Sequence, residues 1–178
     1  MAEVPDEILM ESVRDGNLEQ MSVLFERYNV RMYNFFVKMT SDREASHDLT
    51  QNLFYRIIKY RDSFITGFTF KSWIYQMARN LYKDMYNAEK RSRELFLNTG
   101  SYPDNPDDGD IYSEEDYLRL ERSLQLLSQE QREIIVLSRY QGLKYSEISA
   151  ITLLSVPAIK VAVHRAVKQL RGIYFKQV

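Results

Sequence analysis

The stretch LLSVPAIKVAVHRAVKQLR (residues 153–171) separates apolar and basic residues onto two sides of a helix. At about 100° per residue, aliphatic side chains gather on one side and cations on the other. The aliphatic side holds Val156, Ile159, Ala162, Val163, Ala166, Val167 and Leu170, and the basic side holds Lys160, His164, Arg165, Lys168 and Arg171. The pattern predicts a helix that packs one face into a core and presents the other to an anionic partner.

Capping residues predict where this helix and several others begin. Ser155 is a favourable N-cap, and Pro157 falls in the first turn, where a missing backbone amide costs little. Three further pairs have the capping-box form, namely Asn17 with Gln20, Ser41 with Glu44, and Ser128 with Gln131. The helical period predicts an all-α protein with helices at 5–15, 18–40, 42–60, 70–92, 114–127, 129–141, 145–152 and 156–173.

Charge is distributed unevenly along a chain whose net charge is only −1. Residues 1–93 sum to +1, residues 94–116 to −8, and residues 117–178 to +6. The stretch LNTGSYPDNPDDGDIYSEED (97–116) holds few large aliphatic residues, so it cannot bury enough apolar surface to fold alone. We therefore expect two small helical domains, 1–95 and 116–178, joined by a flexible acidic linker at 96–115. The basic C-terminal domain is either a nucleic-acid-binding domain or a solvated charged surface.

Composition excludes several classes of protein. The chain has 178 residues and no cysteine, which excludes disulfides, thiolate metal sites and cysteine nucleophiles. The stretch MAEVPDEILMESVRDGN is unlike a signal peptide, and no apolar run approaches the roughly 20 residues of a membrane helix. We expect a cytoplasmic protein without membrane insertion. His47 and His164 lie in different predicted domains and form neither a metal set nor a triad, so we expect no enzyme activity, metal or cofactor.

The segment that follows Arg61 combines an aromatic loop with a helix whose exposed side is polar and basic. Phe64, Phe68 and Phe70 surround Gly67 in the loop. The predicted buried stripe of the helix holds Ile74, Met77, Ala78, Leu81, Met85 and Ala88, and the opposite stripe holds Trp73, Gln76, Asn80, Lys83, Asn87 and Lys90. Rings beside cations and amides are typical of single-stranded nucleic-acid binding, because every base has a face that can stack. The alternative is that the rings fill the core under the loop.

Four stretches resemble the extracytoplasmic-function (ECF) sigma factors, a compact branch of the sigma-70 family of bacterial transcription initiation factors. They are ASHDLTQNLFYRIIKY (45–60), DSFITGFTFKSWIYQMARN (62–80), LLSQEQREIIVLSRYQGLKYSEIS (126–149) and the stretch quoted first. They follow the family's order and spacing and together extend over nearly the whole chain. The resemblance implies a region 2-like bundle, then the linker, then a region 4-like helix-turn-helix domain. It also implies that the linker threads toward the active-site and RNA-exit channels of the polymerase.

The resemblance implies three binding surfaces. The β′ clamp helices of core RNA polymerase would be bound by Asp48, Gln51, Asn52 and Phe54, and the second domain would also contact the β flap. The minus-10 promoter element, as duplex and as melted non-template strand, would be bound by Phe64, Phe70, Ser72, Trp73, Gln76, Arg79, Asn80, Lys83 and Lys90. The minus-35 element would be bound in the major groove by Ser155, Ala158, Lys160, Val161, His164, Arg165, Lys168 and Arg171. An anti-sigma factor is a further implied partner.

The sequence departs from the family pattern at several positions. Asn52 stands where the family usually has Glu, Lys144 where it has a capping Ser or Thr, and Leu153 where it has Gly in the helix-turn-helix turn. Ala158, Val161 and Ala162 occupy positions that commonly carry polar base contacts, so base recognition is expected to be unusual. A valine at position 161 can contact a thymine methyl group in the major groove.

Two other function classes remain open at this stage. A conventional helix-turn-helix regulator would bind duplex DNA without melting it. An enzyme on a helical bundle would need a catalytic set that the two histidines do not supply. The stretch FITGFTFKSW (64–73) and the helix with Asp48 and Gln51 favour the sigma factor, since a duplex-binding regulator has no reason to possess them.

Overall fold

The computed structural model describes residues 4–96 and 114–176, with side chains for 4–92 and 115–176. Within those residues the chain forms eight α-helices and no strand. They are α1 (Asp6–Arg14), α2 (Gln20–Thr40), α3 (Arg43–Lys59), α4 (Phe70–Phe96), α5 (Glu114–Gln125), α6 (Gln129–Ile135), α7 (Tyr145–Thr152) and α8 (Val156–Lys176). The predicted all-α class is confirmed. Most of the predicted acidic linker lies outside the described residues.

Helices α1 to α4 pack together as an N-terminal group. α2 packs along α3, α1 packs on α2, and α4 contacts α3 most extensively. The fully buried side chains of this group are mainly aromatic residues and methionines, including Met10, Leu24, Met32, Phe35, Phe36, Met39, Leu53, Ile57, Ile74, Tyr75 and Ala78. Flexible thioethers fill the gaps between rigid rings, so a core of irregular shape can still be closely packed.

Helices α5 to α8 form a C-terminal group whose centre is α8. Their buried apolar side chains include Leu124, Leu137, Ile148, Ile151, Ile159, Val163 and Ala166. Within the described part of the chain, no single helix is long and apolar enough to span a membrane. Only α7 and α8 taken together reach the required length and apolar composition, and the pair is bent by 100°. The apolar residues of this pair pack into the C-terminal group, as the sequence pattern predicts.

Of the three predicted capping boxes, one is correct and two are wrong. Ser128 Oγ accepts a hydrogen bond from the Gln131 amide at 3.3 Å, and Gln131 Oε1 accepts one from the Ser128 amide at 3.4 Å, so this capping box is confirmed. Ser41 instead has a left-handed φ of 55°, and Asp42 caps α3 by accepting from the Ala45 amide at 2.9 Å. Asn17 makes no side-chain cap either, since α2 begins after Glu19.

The predicted helix 129–141 is helical throughout most of its length, but only its first part, α6, is an α-helix. After α6 the chain continues as a π-helical turn, Val136–Tyr140, in which the Gln141 amide bonds to the Val136 carbonyl at 2.9 Å. The Ser138 hydroxyl bonds to the Ile134 carbonyl at 2.6 Å and competes with the regular ladder. The wider turn carries Tyr140 and Gln141 toward the N-terminal group.

Leu153 occupies the turn between α7 and α8 in a left-handed conformation, with a φ of 63°. This conformation destabilises the folded state by about 1–2 kcal/mol when the residue has a Cβ atom, and glycine at the same position avoids part of that loss. The Leu153 side chain is 85% exposed, so removing it sacrifices little packing.

Replacing Leu153 with glycine should therefore raise the free energy of unfolding by about 0.5–1 kcal/mol. Urea denaturation followed by circular dichroism measures this change. Leu153→Ala is the matched control, because it removes the same side chain but keeps the strain. A glycine variant no more stable than the alanine variant would contradict the explanation.

Candidate nucleic-acid interface

Helix α8 has the two faces that its sequence predicts. Ile159, Val163 and Ala166 are buried against the rest of the C-terminal group. The predicted contact residues Ser155, Ala158, Lys160, Val161, His164, Arg165, Lys168 and Arg171 are all exposed. Ser155 accepts a hydrogen bond from the Ala158 amide at 3.3 Å, which confirms the predicted N-cap. The helix thus presents a continuous basic surface to solvent, with the half-exposed Val161 among its cations.

Two of the predicted stacking rings, one in the loop before α4 and one at the first residue of α4, are buried. Phe64 and Phe70 are 2% and 0% exposed, and Trp73 packs between them with ring centroids 5.3 and 6.1 Å away. Phe70 also lies edge-on to Tyr28 at 5.2 Å. Phe64 and Phe70 therefore fill the core under the loop, as the alternative interpretation of the sequence expects. Trp73 is only partly buried.

The exposed ring of this loop is one that the predicted site omitted. Phe68 is 61% exposed beside Gly67, whose positive φ of 95° turns the chain there. Ile65 is similarly exposed, at 63%. Phe68 stands in the same aromatic stretch as Phe64 and Phe70, and their spacing in the sequence does not distinguish the exposed ring from the buried ones.

The first turn of α4 is fixed by hydrogen bonds from its surroundings. The Phe70 amide donates to Glu7 of α1 at 3.0 Å, which satisfies one of the free amides of a helix start. Thr69 caps the turn, accepting from the Ser72 amide at 3.3 Å and donating to the Ser72 hydroxyl at 2.8 Å. Ser72, a predicted DNA contact, is therefore buried and holds the start of the helix.

The polar face of α4 is only partly open to solvent. Asn80 and Lys90 are exposed and Lys83 is partly exposed. Gln76 donates to the Ala150 carbonyl of α7 at 2.6 Å, and Arg79 forms an ion pair with Glu133 of α6 at 2.7 Å. The C-terminal group thus lies over part of the surface that the sequence predicts to contact DNA.

Lys71, in the first turn of α4 and outside the predicted DNA contacts, also contacts the C-terminal group. Its ammonium lies 2.9 Å from Glu147 Oε1, while Glu147 Oε2 accepts from the Lys144 amide at 2.7 Å. Burial raises the pKa of Glu147, but the hydrogen bonds from Lys71 and Lys144 outweigh it and the net shift is downward. Glu147 thus caps α7 in place of a side chain at Lys144 and stays ionised at neutral pH.

Helix α3 presents a separate polar face. Asp48, Gln51 and Asn52 are exposed on it, and Tyr55, which was not predicted, extends the same face and is 62% exposed. Positions 48, 51, 52 and 55 fall on one side of a helix, so the spacing could have identified the tyrosine. Phe54 is 6% exposed and lies edge-on to Phe25 at 4.7 Å, so it supports this face from beneath.

The two histidines lie on different helices and in different helical groups. His47 Nδ1 is 3.3 Å from Gln51 Nε2 on α3, and His164 lies on the basic face of α8. Among residues 4–96 and 114–176, no three His, Asp or Glu side chains are grouped so that they could hold a metal ion.

Comparison with known proteins identifies the family of the chain. The family description "Sigma-70 region 2" matches residues 24–92, and "Sigma-70, region 4" matches residues 117–170. The RNA polymerase sigma factor CarQ of Myxococcus xanthus is 30% identical over 91% of this chain and 93% of its own length. The chain belongs to the sigma-70 family, in its ECF branch. The family resemblance in the sequence is thereby confirmed.

Two solved structures share the fold of this sigma factor. CnrH, in complex with the cytosolic domain of CnrY, superposes with a TM-score of 0.75 over 97% of this chain and 99% of that chain, at 21% identity. RpoE, in complex with the anti-sigma factor NepR from Bartonella quintana, gives 0.70 over 85% of this chain and 94% of that chain, at 25% identity.

The two matched regions divide the surfaces of the sigma factor between them. Region 2 contains α3 with its polar face and most of α4, and region 4 contains most of α8 with its basic face as far as residue 170. The contacts of Lys71, Gln76 and Arg79 therefore join region 2 to region 4 within one molecule. Both regions of an ECF sigma factor are thus present, and they are packed together.

Proposed function

We propose that this chain binds core RNA polymerase, recognises the minus-10 and minus-35 elements of a promoter and starts transcription there, as an initiation factor rather than an enzyme. The observation that supports this proposal most is the presence on one chain of the open polar face of α3 and the open basic face of α8. A protein that only binds duplex DNA uses the second face and has no need of the first.

Region 4 would place α8 in the major groove of the minus-35 element. Lys160, Arg165 and Lys168 would contact phosphates, which position the helix without reading sequence. Val161 would contact a thymine methyl group and so contribute sequence preference, because only thymine carries an apolar group at the edge of this groove. The net charge of +6 beyond residue 116 corresponds to a handful of phosphate contacts.

Replacing Lys168 with alanine should lower the affinity of the polymerase complex for every promoter sequence by a similar factor. Loss of one phosphate contact should also reduce the slope of log affinity against log salt by about one. Fluorescence anisotropy over a salt series measures the slope. Gln169→Ala, an exposed neutral neighbour on α8, is the control. An unchanged slope for Lys168→Ala would exclude the phosphate contact.

Region 2 would hold the minus-10 element as the strands separate. Phe68 and Trp73 offer ring surfaces for unstacked bases, and Asn80 offers an amide for a base edge. Phe64, Phe70 and Ser72 would act indirectly, by holding the loop and the first turn of α4 in position. Gln76 and Arg79 would take part once region 4 no longer covers them.

We also propose the domain limits that the sequence suggests: region 2 at 1–95, an acidic linker at 96–115 and region 4 at 116–178. The cytoplasm, where polymerase and promoters are, would be its place of action. Relatives with this fold have been solved in complex with partners, one of which is named as an anti-sigma factor, and an anti-sigma factor is a proposed partner here too.

Promoter binding with and without core polymerase tests this proposed function. The free protein should bind promoter duplex weakly and with little sequence preference, because its few phosphate contacts give a mostly non-specific affinity. Specific binding should appear when core polymerase is added. Strong, specific binding by the free protein that polymerase does not change would favour a conventional regulator instead.

A double substitution on α3 tests the polymerase surface separately. Asp48→Ala with Gln51→Ala should weaken binding to core polymerase about tenfold, since exposed polar interface contacts contribute about 1 kcal/mol or more in total. Surface plasmon resonance on immobilised core enzyme measures the affinity. Glu44→Ala, exposed near the start of the same helix, should change it little. Equal effects of the two variants would place the docking surface elsewhere.

A further inference from the structure

The two exposed apolar side chains of the loop before α4 stand at the two ends of one β-turn, residues 65–68. The Phe68 amide donates to the Ile65 carbonyl at 3.2 Å, with Thr66 and Gly67 between them. Gly67 supplies the positive φ of 95° that the second central residue of a turn often requires. All four residues are exposed, so none of their side chains anchors the turn in the core. The shape of the 65–68 turn therefore depends on contacts from its surroundings.

One arginine of α1 makes such contacts. Arg14 Nη1 donates to Thr66 Oγ1 at 3.2 Å and to the Phe64 carbonyl at 3.4 Å. On its other edge, Arg14 Nε lies 3.2 Å from Asp15 Oδ1. A guanidinium is planar, so a bond at Nε fixes the direction in which Nη1 points. Arg14 thus holds one residue of the 65–68 turn and the residue just before it.

Helix α1 lies outside the part of the chain that matches region 2, which begins at residue 24. It nevertheless contacts the loop before α4 at two places. Arg14 bonds to the 65–68 turn, and Glu7 accepts from the Phe70 amide at 3.0 Å. α1 packs on α2, and its buried side chains are Leu9, Met10 and Val13. A helix anchored in the core therefore supports an exposed loop.

Such support affects how tightly a loop binds a flexible ligand. A loop already held in its binding-competent shape need not be ordered when the ligand arrives, so more of the interaction energy appears as affinity. Without the support, only the fraction of molecules in the competent shape can bind, and the apparent dissociation constant rises in inverse proportion to that fraction. Losing the hydrogen bonds from a charged donor is enough to reduce such a fraction about tenfold.

We propose that Arg14 is a positioning residue for the minus-10 surface: it holds the 65–68 turn in the shape in which Phe68 stacks on an unpaired base of the non-template strand. It acts through its bonds to Thr66 and to the Phe64 carbonyl, and it does not itself contact the strand. Helix α1 then belongs to the minus-10 surface although the region 2 match does not include it. This inference rests on the proposed function, because it concerns binding of the same DNA strand.

Arg14→Met removes these bonds while keeping the apolar part of the side chain. Thr66→Val removes the acceptor hydroxyl but keeps the shape of the threonine, and the two changes combined complete a double-mutant cycle. Arg122→Met is the matched control, because the same substitution removes the same charge from an exposed arginine of α5 that lies outside every proposed surface. Circular dichroism verifies that all of the variants fold.

Fluorescence anisotropy measures binding of a labelled non-template strand, taken from a promoter that the wild type transcribes, to the complex of each variant with core polymerase. Arg14→Met should weaken this binding about tenfold without changing the slope of log affinity against log salt. Thr66→Val alone should weaken it about threefold. The double variant should bind as weakly as Arg14→Met, because both substitutions break the same contact. Arg122→Met should bind the strand as the wild type does, and binding of a minus-35 duplex should not change in any variant.

Any of four results would overturn the proposal. Wild-type affinity in Arg14→Met would show that the turn does not need the arginine. A slope reduced by about 0.7 would show a direct phosphate contact instead. Additive losses in the double variant would show that Arg14 and Thr66 act separately. An equal weakening of minus-35 binding would show a general loss of folded structure.

Transcription separates this inference from the proposed function. If the wild type starts transcripts with core polymerase while Arg14→Met binds the strand normally, the positioning role fails and the sigma function stands. If the wild type starts no transcripts, the proposed function itself fails and the inference fails with it.

Discussion

Replacing Arg132 with alanine is expected to lower the free energy of unfolding by about 3 kcal/mol. Arg132 is 9% exposed, and its guanidinium donates to the carbonyls of Leu124 at 3.2 Å, Met39 at 2.7 Å, Gln125 at 2.6 Å and Leu127 at 3.4 Å. These carbonyls belong to both helical groups, and three of them end α5 and the turn after it. Alanine would remove all four hydrogen bonds. The Leu124 and Met39 carbonyls would keep the Leu127 amide and the Tyr82 hydroxyl as donors, and the Gln125 and Leu127 carbonyls would lose the guanidinium without a replacement from the protein.

Guanidinium-induced unfolding followed by circular dichroism measures this loss. Arg122→Ala is the control, because Arg122 is exposed and surface substitutions usually change stability by less than about 0.5 kcal/mol. Arg132→Lys should fall between the two, since a lysine keeps the charge but cannot reach four carbonyls from one planar group. A loss of under about 1 kcal/mol in Arg132→Ala would show that water satisfies the carbonyls.

Trp73→Ala and Asn80→Ala are expected to reduce transcription from an intact promoter about tenfold or more, and far less from a promoter melted in advance. Stacking on an aromatic side chain is worth about 1–3 kcal/mol per base, and a pre-melted bubble no longer requires that stabilisation for strand separation. Asn80 is exposed, so its variant tests the role without disturbing the core. Trp73 packs against Phe64 and Phe70, so its stability must be measured alongside.

Transcript yield from the two templates gives the comparison. Asn34→Ala, an exposed asparagine on α2 outside every proposed surface, should leave both yields unchanged. Equal losses of transcript from intact and pre-melted templates for Asn80→Ala would show that Asn80 contributes to promoter binding rather than to strand separation. The melting role of this face of α4 would then be wrong.

Local periodicity predicts α8 well because one face of the helix is buried in the C-terminal group and the other is exposed to solvent. The buried positions Ile159, Val163 and Ala166 recur at helical spacing, and Ser155 marks the start of the helix. The predicted N-cap of α3, Ser41, is one residue before the observed one, Asp42, because both are short polar side chains that can cap a helix. Sequence alone does not decide which of two adjacent caps the turn selects.

Burial of aromatic residues around α4 could not be predicted from local pattern. Tyr75 and Tyr82 fall outside the predicted buried stripe, yet both are buried, and Tyr75 donates to Gln141 of the C-terminal group at 2.7 Å. Phe64 lies in the loop and Phe70 begins α4, and nothing in their spacing distinguishes a stacking surface from a core. Phe70 packs edge-on to Tyr28 of α2, which is distant in sequence.

The contacts between the two regions are the least predictable part of the structure. Lys38 and Glu121 are 83 positions apart, and Arg79 and Glu133 are 54 apart. Each charge alone is typical of a solvated helix surface, and only the packing of the N-terminal group against the C-terminal group identifies the pairs. The sequence therefore does not predict which of the proposed binding residues are accessible in the folded chain.

Transcription of fragmented genomic DNA from the bacterium that encodes the chain tests the central proposal most directly. Its core polymerase is incubated with and without the protein, and the 5′ ends of the transcripts are sequenced. The sigma function predicts new start sites preceded by two shared sequence elements at constant spacing, and Asp48→Ala with Gln51→Ala should reduce them. Identical start sites with and without the protein would contradict the account.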